Sequence, residues 1–184
     1  MIQPAPFQRL LGDAFDRLPL PVRHLHGLDR PVETAGLADI TAARGVLPWL
    51  IARLAGLPRP GRGVAVTVGF HPDGQGRERW TRHFGGRRYA STMEAGRNGL
   101  LVEHFGPFDL HFRLTPKPEG LAWSLEGWRF LKVPLPRMSQ PRIECLEAAD
   151  GDRFVFDIDV VFPIAGPVVH YRGWLVPVAS DRRA

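Results

Sequence analysis

The stretch that decides the fold is Phe154-Val155-Phe156-Asp157-Ile158-Asp159-Val160-Val161-Phe162, residues 154–162. Phe154, Phe156, Ile158, Val160 and Phe162 fall on one side of a period-two pattern, and Asp157 and Asp159 mark the other side as wet. Alternation of this kind is the signature of a strand with one face on a core. Residues 168–176 repeat it after a Pro-Ile-Ala-Gly-Pro turn, with Val168, His170, Arg172, Trp174 and Val176 opposing Val169, Tyr171, Gly173 and Leu175. Tyr171 is expected to pack inward with its hydroxyl available to a partner.

Working back from that hairpin, strands are expected at about 64–70, 78–84, 88–95, 100–105, 108–114, 121–131 and 142–148, each bounded by Gly, Pro, Asp or Asn. The close spacing leaves no room for the helical crossovers that parallel strands need. The chain therefore predicts a mostly β, α+β domain: a curled antiparallel sheet of about nine strands, a barrel or half-barrel or a sandwich.

Before residue 60 the period is 3.6. Phe7, Leu10, Leu11, Ala14, Phe15 and Leu18 form the apolar stripe of a first helix that Pro19 and Pro21 are expected to stop. A short extended piece over 33–40 precedes a second stripe of Val46, Leu47, Trp49, Leu50, Leu54 and Leu57, ending at Gly56 and Pro58. Two short helices are thus expected to cover one side of the sheet. One domain over 1–178 with a frayed polar tail at 179–184 is the expectation for 184 residues.

Composition narrows the function class. A hydrophobic fraction of 44% and a charged fraction of 23% are ordinary for a globular chain, and no apolar run approaches the ~20 residues of a membrane helix. The first residues lack the basic and apolar regions of a secretory signal, and Cys145 alone cannot form an internal disulfide, so a cytoplasmic protein is expected. Cys145 itself reads as a small buried apolar side chain. The net charge of +5 comes from 24 Lys and Arg against 19 Asp and Glu, yet the arginines are scattered along the chain with no basic helix face or nucleic-acid motif. A solvated arginine-rich surface is the plainer reading, and nucleic acid is not an expected partner.

Two charges do not fit a plain core. Trp80, Arg82 and Phe84 share one strand face, as do Leu101, Glu103 and Phe105. Each sets a charge among apolar neighbours, which is expensive unless the charge is paired. The economical hypothesis points Arg82 and Glu103 inward, satisfying each other directly or through a bound polar ligand; the alternative is a purely architectural pair or an edge facing solvent. Trp80, Phe84, Phe105 and Trp123 are expected to line the pocket, with Arg129 and Tyr171 as further candidates. Asp157 and Asp159 read as solvated rather than as an acid–base pair. No metal ligand set is expected: the histidines have no HExxH spacing, and His24 and His26 form a pair without a third ligand. No cofactor is expected either, since neither a dinucleotide fingerprint, a phosphate loop nor a GxSxG elbow occurs.

Taken together, Leu18-Pro19 to Val22-Arg23-x-Leu25-His26, Trp80-x-Arg82-x-Phe84, Glu103-x-Phe105-Gly106, Trp123 to Arg129, Pro134-Leu135-Pro136, Phe162-Pro163-x-x-Gly166 and Tyr171-x-Gly173-x-Leu175 resemble the bacterial family catalogued as domain of unknown function 4166. The resemblance covers nearly the whole chain. It implies a domain that occurs alone or C-terminal to a Rossmann-type, saccharopine-dehydrogenase-like reductase, hence an association with redox or lipid-like small-molecule metabolism. The family pattern has a glycine two residues before Pro-Leu-Pro, where this chain has Lys132, which puts a left-handed turn there in question.

Three functions follow as expectations. The first is non-enzymatic binding of an apolar or amphipathic small molecule in a β-sheet cavity, oriented by Arg82 and Glu103. The second is an accessory domain that docks on a partner reductase. The third is an enzyme using Arg82, Glu103 and His26 for acid–base chemistry. No catalytic residue is assigned, and the oligomeric state stays open.

Overall fold

The period-two alternation of residues 61–177 closes on itself. The computed structural model describes residues 3–43 and 45–178; the tail expected to fray, 179–184, lies outside them. Eleven strands occur among the described residues: β1 (Val32–Ala42), β2 (Gly61–Pro72), β3 (Arg77–Phe84), β4 (Arg87–Ala95), β5 (Leu101–Phe105), β6 (Phe108–Lys117), β7 (Gly120–Phe130), β8 (Val133–Pro134), β9 (Arg142–Asp150), β10 (Arg153–Phe162) and β11 (Gly166–Pro177). Each pairs antiparallel with the next, except that β7 pairs with β9 past the two-residue β8, and β11 pairs with β1. The pairing of β6 with β7 completes a ten-strand barrel, with β8 as an extra strand on β7.

Two expectations are corrected here. Of the expected alternatives the sheet forms the barrel, and it is closed by ten strands rather than about nine, because the extended piece at 33–40 is a full strand. As β1 it bridges β2 and β11 and removes both free edges, which an open sheet would leave exposed to other chains. Among the described residues the α-helices number three, and they do not share one side.

The first predicted helix divides. Gly12, at φ 51, ends α1 (Pro6–Leu11), and a 3-10 segment (Gly12–Arg17) follows. Pro19 and Pro21, expected only as stops, instead start α2 (Leu20–His26). Proline is tolerated in a helix's first turn, where its missing N–H would be unsatisfied anyway. Phe7, Phe15, Leu18, Val22 and Leu25 from this segment are buried, and with them α1 and α2 plug the end of the barrel from which β1 starts.

The helix α3 (Val46–Leu54) sits at the opposite end, between β1 and β2. Its predicted apolar stripe was expected to pack on the core. Instead Pro48 is buried, Ile51 and Ala52 pack partly against the core, and Val46, Leu47, Trp49, Leu50 and Leu54 are exposed. The helix is apolar almost all round, so burying one face leaves the other apolar too.

The Lys132 turn is also corrected. Leu131 (φ 48) and Lys132 (φ 68) are both left-handed and join Phe130 to Val133 in a two-residue hairpin, so the turn forms without the glycine.

Candidate functional site

Strand alternation directs one residue in two into the barrel. From β3 these are Glu78, Trp80, Arg82 and Phe84; from β10, Phe154, Phe156, Ile158 and Val160. All of these but Glu78 line a cavity of about 150 Å³. The pocket candidates Trp80, Arg82, Phe84, Glu103, Phe105, Trp123 and Tyr171 all line it. Arg129 does not. It lies exposed near the end of β7, opposite Asp109 and Pro134. A bulge explains this: Phe112 pairs with Leu125 but His111 with Gly127, so Glu126 is an extra residue. That one insertion moves Arg129 off the face that Trp123 occupies.

Arg82 and Glu103 meet directly. Arg82 Nη2 donates to Glu103 Oε1 at 3.3 Å and Nη1 donates to Ser91 Oγ at 2.7 Å, with the side chains of the charged pair only 14% and 13% exposed. The guanidinium lies 4.7 Å from the Trp80 ring centre and 5.6 Å from that of Tyr89, within range of cation–π attraction. Arg82 has five N–H groups, so donors remain that no described residue accepts. Burial pushes the Tyr89 phenol up to about 12 and Tyr171 also upward, so both stay neutral donors beside this pair. Cys145 lines the same cavity, and burial raises its thiol well above its ordinary value, which disfavours the thiolate.

A second polar cluster lies where the plug meets the barrel. The His26 ring stacks on Phe7 at 3.8 Å, and its Nε2 lies 2.6 Å from Glu147 Oε2. Trp123 Nε1 donates to the same oxygen at 3.0 Å. Glu78 is 2% exposed, and neither carboxyl oxygen has a hydrogen-bond partner among the described residues. Burial, with a further push from Glu147, raises its pKa to about 7; His26, the Trp80 indole and Arg82 pull only partly the other way.

The sequence reading missed Glu78 and Ser91. The signal for Glu78 was present, since it falls two residues before Trp80 on the face already assigned as inward. Glu147 shares a face with Ile143 and Cys145 in the same way. Of the acid–base candidates, Arg82 and Glu103 meet, whereas His26 pairs with Glu147, because α2 carries it into the plug. Being helical, α2 also turns His24 and His26 apart, since residues two apart on a helix do not face each other.

No curated protein matches the chain. The family described as "Domain of unknown function (DUF4166)" matches residues 18–175, which takes in both α2 and the whole barrel up to the last turn of β11. With the resemblance of its motifs thus extended over most of its length, the chain belongs to that family.

Proposed function

We propose that the barrel binds a small amphipathic molecule, its apolar body among Phe84, Phe154 and Phe156 and its polar head at Arg82 and Glu103. The observation that carries this reading is the charged pair itself. A desolvated ion pair contributes little to stability compared with apolar side chains of the same volume, so its place on the wall of an apolar cavity asks for another reason. The free Arg82 donors and the second Glu103 oxygen suit a head that both accepts and donates, such as an alcohol or a primary amide.

A cavity near 150 Å³ takes a body about the size of benzene, below the ~300–1,000 Å³ of ordinary ligand clefts. A longer ligand would reach out of the barrel past Leu57, which lines both this cavity and a groove of about 600 Å³ under α3.

Native mass spectrometry of the purified protein is expected to show a co-purifying small molecule. Titration with octan-1-ol is expected to change the tryptophan fluorescence saturably, since Trp80 and Trp123 line the cavity. Ile158→Trp, which fills the cavity, is expected to abolish both signals. No added mass together with a linear, non-saturable response in a folded protein would overturn the reading.

A further inference from the structure

The two ends of the barrel differ in a way that no single segment discloses. Antiparallel succession places five connections at the α3 end: 43–60, 85–86, 106–107, 131–141 and 163–165. None of the five contains an Asp or a Glu. They and the strand ends beside them carry the exposed arginines Arg53, Arg59, Arg62, Arg88 and Arg137, while Lys132 pairs with Asp109 at the start of β6 at 2.9 Å and Asp39, near the end of β1, accepts from the Gly63 N–H. At the opposite end, Asp13, Asp16, Asp29, Asp73, Glu119 and Asp152 are mixed with arginines in the ordinary way of a solvated surface.

The exposed apolar side chains are segregated too. Apart from Leu20, Leu37 and Val178, every large hydrophobic residue exposed among the described residues lies at the α3 end. Val46 is 82% exposed, Leu54 79%, Met138 85% and Ile164 91%, and these four come from three separate connections. Such clustering is not what scattered surface hydrophobics look like.

We infer that this end of the barrel docks on an anionic phospholipid bilayer, with α3, the 131–141 connection and the 163–165 turn dipping into the interface. A ring of apolar tips set among arginines, with no carboxylate in any of the five connections, matches a surface that is negative at its face and apolar just beneath it. Trp49, 60% exposed on α3, has the amphipathic ring that favours that depth. A folded protein partner presents both signs of charge, and the five connections hold no carboxylate to pair with its cations. Docking rests on the outer surface alone and holds whether or not the cavity takes a ligand.

The test is co-sedimentation of the full chain with vesicles of phosphatidylcholine containing 30 mol% phosphatidylserine, beside vesicles of phosphatidylcholine alone. Binding to the anionic vesicles is expected to be at least tenfold stronger, and to fall at least fivefold at high salt. Met138→Asp and Ile164→Asp, both on exposed turns where the fold tolerates change, are expected to lower it at least tenfold together with unaltered circular dichroism. Trp49→Ser serves as a further variant on α3. Equal and weak binding to both vesicles would overturn the proposal. So would a dimer in light scattering that the same substitutions dissociate while no vesicle binding is seen, or recovery of a defined protein complex through this face in place of lipid.

Discussion

Arg82 Nη2 lies 3.3 Å from Glu103 Oε1 although the two strands that carry them, β3 and β5, are not neighbours: β4 runs between them and contributes Ser91 to the same guanidinium. The pair thus spans a strand across the curved inner wall. Removing one member strands the other in an apolar surround. Arg82→Met and Glu103→Leu are each expected to cost about 2–4 kcal/mol, below the top of the range for buried pairs because both heads keep some exposure. The double variant is expected to return to within about 1 kcal/mol of the parent. Urea denaturation of the four proteins checks this; additive losses would show that the two charges do not compensate each other.

Glu78 makes stability depend on pH. Its folded-state pKa is raised from 4.5 to about 7, so the folded state favours the protonated form. The contribution is therefore complete below pH 4.5, declines as pH rises toward 7 and is lost above it, a change on the order of 3 kcal/mol. Glu78→Gln, which keeps the shape without the charge, is expected to remove this decline and to be the more stable protein at pH 8. Denaturation midpoints at pH 5 and pH 8 decide it. The same slope in parent and variant would assign the pH dependence to other groups.

Leu57 stands between the interior cavity and the groove under α3. Leu57→Ala is expected to speed uptake of octan-1-ol, and Leu57→Trp to slow it, with little change in affinity from the bulkier side chain if it acts as a gate. Stopped-flow tryptophan fluorescence separates rate from affinity. Identical association rates in all three proteins would place the entrance elsewhere.

Leu131 holds a left-handed conformation (φ 48) in the β7–β8 hairpin and is 66% exposed. Asparagine accepts that conformation at lower cost, so Leu131→Asn is expected to stabilise the fold by about 0.5–1 kcal/mol while weakening vesicle binding. Thermal denaturation and co-sedimentation would move in opposite directions. A variant less stable than the parent would mean that Leu131 contributes packing that outweighs the strain.

Cys145 lines the cavity and is half-buried, with its thiolate disfavoured. It is expected to react with 5,5′-dithiobis(2-nitrobenzoic acid) slowly in the native protein and rapidly in denaturant. Prompt reaction in the native protein would show that the cavity is open to a reagent of that size.

The barrel strands were readable because a strand with one face on a core imposes period two on its own residues, as 154–162 does. That alternation also brought Arg82 and Glu103 inward. It failed for Arg129, where the extra residue Glu126 reverses the sides of the strand end, and a bulge leaves no clear mark in alternation alone. It failed for α2 as well, where two prolines that end one helix also begin another.

Sequence by itself settled the strand-rich character, the inward faces and the two charges that an apolar core would not hold unpaired, all of which follow from neighbours a few residues apart. Only the tertiary structure decided closure, because the partner of β1 is β11, more than a hundred residues away. Closure then decided the rest. It brought the Arg82–Glu103 pair into one cavity, carried His26 onto Glu147, and assembled arginines and apolar tips that are scattered along the chain into a single end whose connections hold no carboxylate. Proximity of that kind is set by the order in which strands pair, and local pattern carries no record of it.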